Sequence, residues 1–171
     1  MRLTAIDAQV ALHLYYRLAD YATHGAAAPL KQGCLMNGNV FTYGSLMFDE
    51  VWRKVVAGHY RSEAATLHDY RRFAVPGVTY PGIVAMAGER IAGRLYLEVG
   101  PDDMARLDAF EGAEYRRDAL PVVLAGGATV SAWTYVWLDH GRLSDSPWLS
   151  EAFRLREFLE TYAPGTGESG G

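Results

Sequence analysis

Between Asn39 and Leu138 the chain alternates short β-rich runs with glycine and proline breakers, and this spacing limits the folds open to it. Val40-Phe41-Thr42-Tyr43 is the first run and ends at Gly44-Ser45. Residues 64–75 read as extended, with Pro76-Gly77 as a turn and Tyr80-Pro81-Gly82 as a second breaker. Ile83 to Met86 and Ile91 to Val99 read as two strands joined by a turn at Ala87-Gly88-Glu89-Arg90. Tyr115 to Leu124 and Thr129 to Leu138 flank a Gly126-Gly127 hairpin. In the run that ends at Val99, Leu95, Leu97 and Val99 alternate with Arg94, Tyr96 and Glu98, which predicts one buried face.

Helices fall between these runs. Phe48, Val51, Trp52, Val55 and Val56 share one face of a predicted helix that Gly58 closes. A second begins at Pro101, a first-turn residue, with Asp102 and Asp103 reading as capping acids. It passes through Met104, Leu107 and Phe110 and stops at Gly112. Phe153, Leu155, Phe158 and Leu159 predict a terminal helix over residues 149–161. Strands outnumber helices and most connections read as hairpins. The fold class expected is α+β, a small mixed, largely antiparallel β-barrel with short flanking helices.

The chain divides into an extension (1–35), a domain (36–163) and a flexible tail (164–171). In the extension Leu3, Ile6, Val10, Leu14, Leu18 and Tyr21 recur at helical spacing, and Thr4 with Asp7 resembles a capping box. One reading is a helix that docks on the barrel or on a second subunit, which would make a homodimer. The other is an appendage, with Met36 as the alternative start.

Composition removes several function classes. The net charge is −4 and the one local basic cluster is Arg71-Arg72, so a nucleic-acid partner is not expected. Cys34 is the sole cysteine, which rules out an intrachain disulfide framework. No pair among histidines 13, 24, 59, 68 and 140 has metal-ligand spacing, and neither a Gly-x-Gly-x-x-Gly step nor a P-loop occurs. No metal or cofactor is expected. No apolar run reaches the roughly 18 residues that span a bilayer, and Asp7, Gln9, His13 and Arg17 interrupt the N-terminal stretch. A soluble cytoplasmic protein without a membrane partner is expected.

Two segments can carry chemistry. Phe41-Thr42-Tyr43-Gly44-Ser45-Leu46-Met47 passes from strand to loop to helix. A glycine there turns the backbone sharply and exposes successive amides, which attract a carboxylate or an oxyanion. On local spacing alone an ordinary strand-to-helix turn accounts for it. The second segment runs from Leu107 to Arg117 and places Glu111 at a helix C-terminus capped by Gly112. The carbonyl end of a helix disfavours an anion, and so does burial; both raise a carboxylate's proton affinity toward that of a general base. Arg116 and Arg117 oppose that shift if they point inward. Ser45 is not in a Gly-x-Ser-x-Gly elbow, so a hydrolase triad has little support.

Taken together the motifs are more specific. Tyr43-Gly44-Ser45-Leu46-Met47 is followed by Asp69-Tyr70-Arg71-Arg72, Tyr80-Pro81-Gly82-Ile83-Val84 and Ala92-Gly93-Arg94-Leu95-Tyr96. Leu107-Asp108-x-Phe110-Glu111-Gly112-x-x-Tyr115-x-Arg117 and Trp133-x-Tyr135-Val136-Trp137 complete the series. In order and spacing this resembles the gamma-glutamylcyclotransferase-like family over residues 39–138, nearer its gamma-glutamylamine and plant avirulence-induced branch. The resemblance implies a compact barrel with a cavity at one end and no cofactor. It implies that Tyr43, Gly44, Ser45 and Leu46 bind substrate, that Glu111 is the acid/base residue, and that Tyr115 lies near the cavity. Thr42 and Met47 are not carried over. The implied substrate is a γ-glutamyl compound, cyclised to 5-oxoproline with release of an amine. A non-catalytic small-molecule binding module on the same barrel is the alternative.

Overall fold

The computed structural model describes residues 37–150 and Phe153. Five strands close into a barrel in the order β1-β3-β2-β4-β5. They are β1 (Gly38–Thr42), β2 (Ser62–Ala74), β3 (Pro81–Val99), β4 (Tyr115–Leu124) and β5 (Thr129–Trp137). All pairings are antiparallel except the closure of β1 on β5, where Val40 faces Trp133 and Phe41 faces Thr134. Two helices interrupt the strands, α1 (Asp49–Val55) and α2 (Pro101–Glu111). The expected α+β barrel is the fold found.

The period-2 pattern divides the apolar residues between two cores. Phe41, Leu67, Ile83, Leu95, Val122 and Val136 join one cluster drawn from all five strands, which fills the barrel. Their neighbours Val40, Tyr96, Tyr135 and Trp137 turn the other way and meet Val51, Trp52, Met104 and Leu107 of the helices. Phe41 and Val40 are both almost fully buried on opposite faces of β1. At about 1.5–3 kcal/mol for each side chain of this kind, that one strand contributes to both cores. The indole of Trp52 stacks flat on Tyr96, which seats α1 against β3.

The structure differs from the expected element boundaries in two places, and from the expected capping in one. Residues 83–86 and 91–99 do not form a hairpin. They belong to the continuous strand β3, which pairs along its length with β2. The turn residues instead bulge out between Ala85 and Arg90, opposite Asp69, whose carboxylate accepts from the Gly88 amide at 2.8 Å. Helix α1 ends at Val55 rather than at Gly58, because the Ala57 and Gly58 amides donate to the Asp103 carboxylate. Asp103 therefore caps the segment before it rather than its own helix, which begins at Pro101 after Gly100 and has no side-chain cap. The predicted N-terminal and terminal helices lie outside the described residues. Among those described, no helix is long and apolar enough to cross a membrane.

Candidate active site

Helix α2 carries Glu111 as its last residue, and the stop is local. Gly112 takes φ +67°, a conformation that suits glycine, and its amide caps the Asp108 carbonyl. A 3-10 turn, Gly112–Glu114, then leads into β4, so Glu111 and Tyr115 sit on either side of one short corner.

The facing wall comes from the end of β1. Gly44 leads into a 3-10 turn at Ser45–Met47, whose first internal bond is Met47 N to the Gly44 carbonyl at 3.0 Å. The Ser45 and Leu46 amides precede that bond and have no acceptor within the turn. A side chain at Gly44 would put its Cβ 2.9 Å from Pro81 Cδ, so the turn can lie against β3 only with glycine there. Three hydrogen bonds hold the segment. The Tyr43 hydroxyl donates to the Tyr135 carbonyl, Arg72 donates to the Tyr43 carbonyl, and the Tyr96 hydroxyl donates to the Leu46 carbonyl at 3.3 Å.

These walls border a small cleft that opens to solvent. Tyr43, Gly44, Ser45, Leu46, Glu111 and Tyr115 all line it. The sequence motifs, separated by more than sixty residues, thus meet in one place. Met47 does not line the cleft but Thr42 does, and its hydroxyl donates to the Arg94 carbonyl at 3.3 Å.

Phe41, Tyr80, Pro81 and Tyr135 complete the lining, and the motifs alone give them no role. The signal for the last three was present as the Tyr-Pro-Gly and Trp-x-Tyr-Val-Trp motifs, but which residue faces the cleft depends on strand register. The Tyr135 hydroxyl donates to Asp108 at 2.8 Å, and Asp108 is ion-paired with Arg117 at 3.0 Å. Arg117 also lies over the Trp133 ring. Arg116 pairs with Asp118 instead. The Tyr115 hydroxyl donates to the Pro81 carbonyl at 2.7 Å, which ties β4 to the start of β3.

The electrostatics keep the phenols protonated. Burial, and then the charge of Glu111, push the Tyr43 phenol well above its ordinary range, with Arg72 pulling the other way. Burial, then Asp108 and Glu111, do the same to Tyr135. Both therefore act as hydrogen-bond donors near neutral pH, and the charge of Glu111 bears on both.

A small closed barrel with an acidic side chain set across a cleft from a tight backbone turn is the class of protein that this fold and cleft define. Residues 40–153 match the family described as "Gamma-glutamyl cyclotransferase, AIG2-like", and the chain belongs to that family. It is similar to AIG2-like protein D of Arabidopsis thaliana, at 30% identity over 78% of this chain and 86% of that one. It also resembles the solution structure of an Arabidopsis thaliana protein, with a TM-score of 0.58 and 27% identity over 78% of this chain and 93% of that one. A solved structure titled "Gamma-glutamyl cyclotransferase" shares the fold, with a TM-score of 0.57 and 16% identity over 75% of this chain and 82% of that one.

Proposed function

We propose that the chain is a gamma-glutamylcyclotransferase, with Glu111 as general acid/base and the Tyr43–Leu46 segment and Tyr115 as the substrate-binding walls. The observation that carries the reading is that Glu111 and the Gly44–Leu46 turn line the same cleft. Membership of a family named for this activity supports it.

The reaction is intramolecular. The α-amine nitrogen of a γ-glutamyl group attacks its own γ-carbonyl carbon, a ring C–N bond forms, and the γ-amide C–N bond breaks. The products are 5-oxoproline and an amine. Folding the substrate into a near-attack shape is the larger part of the work, and a cleft with fixed walls suits it.

The remainder is proton transfer. An α-ammonium has a reference pKa of roughly 8 and cannot attack until it loses a proton. Glu111 accepts that proton and returns it to the departing nitrogen, and the second proton, shed by the ring nitrogen after attack, leaves with the released amine as its ammonium form, so the carboxylate is regenerated in each turnover. The Ser45 and Leu46 amides suit a negative oxygen, either the substrate α-carboxylate or the oxyanion that develops on the γ-carbonyl. The tyrosine hydroxyls, being held by fixed acceptors, shape the walls rather than exchange protons.

The test is product analysis. The purified protein is incubated with γ-glutamyl amino acids, γ-glutamyl-ε-lysine and glutathione, and 5-oxoproline and the released amine are measured by mass spectrometry. The proposal expects the two in equal amounts from at least one compound. Binding without product would favour the non-catalytic binding module.

A further inference from the structure

The cleft walls are held from behind by a segment outside the barrel. Ser144 donates its amide to the Ala74 carbonyl at 3.0 Å, and the Ala74 amide donates to the Ser146 carbonyl at 3.0 Å. Phe73 and Pro147 form an antiparallel bridge beside them. The segment therefore runs along the end of β2 and delivers Trp148 behind the cleft.

Trp148 makes contacts that lead to both walls. Its indole Nε1 donates to the Thr79 carbonyl at 2.7 Å, one residue before Tyr80 and Pro81. Its ring lies under Arg72, with Cζ 4.7 Å from the centroid, a cation–π distance. Arg72 in turn donates to the Tyr43 carbonyl at 2.5 Å, at the entry to the Gly44 turn. Farther along, Phe153 lies 6.0 Å from Trp148 and stacks on Phe48 at 4.9 Å. Phe48 is the residue immediately after the Ser45–Met47 turn. The Gly44 turn is thus braced at its entry by Arg72, which meets Trp148, and at its exit by Phe48, which meets Phe153. Neither Arg72 nor Trp148 lines the cleft.

We propose that Arg72 and Trp148 are positioning residues, which fix the Tyr43–Met47 segment against the Thr79–Pro81 wall before a ligand enters. A wall set in advance spares the ligand the cost of ordering it, so its loss weakens binding. An interaction made equally with ground state and transition state appears in KM and leaves kcat in place. The kinetic part of this claim rests on the cyclotransferase reading.

The experiment compares wild type with Arg72→Ala, Arg72→Lys, Trp148→Ala and Trp148→Phe in steady-state kinetics on a γ-glutamyl compound that wild type turns over. Arg72→Ala and Trp148→Ala are expected to raise KM about tenfold and to leave kcat within about twofold. Trp148→Phe keeps a ring under Arg72 and is expected to recover about half of that loss on a logarithmic scale. Arg72→Lys keeps the charge but not the planar fork, and is expected to behave like the alanine variant. An unchanged KM, or a fall in kcat alone, would overturn the proposal, as would a lowered melting midpoint with normal kinetics.

A second readout does not depend on the reaction. Amide hydrogen exchange at residues 43–47 is expected to speed up in Arg72→Ala and Trp148→Ala while β4 and β5 keep their protection. Unchanged exchange at 43–47 would overturn the proposal even if wild type forms no 5-oxoproline, an outcome that counts against the cyclotransferase reading alone. Arg72 is part-exposed, and its variants carry both readouts if Trp148→Ala fails to fold.

Discussion

Helix α2 bears an acid near each end, and the two have different surroundings. Asp103, in the first turn, is buried and accepts from four donors: the Ala57 and Gly58 amides, the Tyr60 hydroxyl and Arg106. Burial pushes its carboxyl up, but those donors outweigh burial and leave it below its ordinary value. Glu111, in the last turn, is half-buried and faces the cleft. The lesson is that burial alone does not mark a functional carboxylate. Asp103 is the more enclosed of the two, and its oxygens are given over to joining α1 to α2. The acid proposed for chemistry is the one that borders open space.

The comparison breaks most readily at Asp103. Asp103→Ala leaves two backbone amides and a phenol without their acceptor. It is expected to cost about 3 kcal/mol of stability, read from urea denaturation at neutral pH, with kcat of the folded fraction preserved. Gly44→Ala is the counterpart at the cleft. The added methyl group meets the Pro81 ring, so the turn has to shift within the cleft wall. About a tenfold loss of ligand affinity by calorimetry is expected, together with a stability cost of about 2 kcal/mol.

Acid should erase the Asp103 effect. A carboxyl whose folded pKa is depressed contributes stability above its unfolded pKa, near 3.8, and loses it as pH falls through the folded value. The stability gap between wild type and Asp103→Ala is therefore expected to narrow when the denaturation is repeated below pH 3.8. A gap of constant size would mean that the four hydrogen bonds do not depend on the charge. The smallest effect is expected at Tyr135. Its hydroxyl donates to Asp108, which keeps Arg117 as a partner, so Tyr135→Phe should cost about 1 kcal/mol. A larger loss would show that the middle of the helix is coupled to the cleft.

Where local chemistry sets an element, the sequence was readable. Pro101 and Gly112 bracket α2 within one residue of its observed limits, and the β4–β5 hairpin follows from Gly126-Gly127. The bulge in β3 was not readable. A glycine amid polar residues signals a turn, and only the pairing of both halves with β2 shows that the strand continues. The parallel closure of β1 on β5 likewise depends on contacts far apart in the chain.

At the cleft, Tyr43 to Leu46, Glu111 and Tyr115 follow from the family resemblance that the motifs carry. Tyr80, Pro81 and Tyr135 do not, because strand register and the path of the connection before β3 decide that they face it. Asp103 was legible as a first-turn acid. Its amide partners Ala57 and Gly58 were not, since they lie some forty-five residues back in the chain.

The most direct test of the account is the rate of 5-oxoproline formation by Glu111→Gln, measured beside wild type on the same γ-glutamyl compound. The change keeps the size of the side chain and removes its ability to take up a proton. The account predicts a fall of about a hundredfold or more in kcat, with KM and melting midpoint near those of wild type. Turnover within a few-fold of wild type would contradict it and would place the proton transfer on another group.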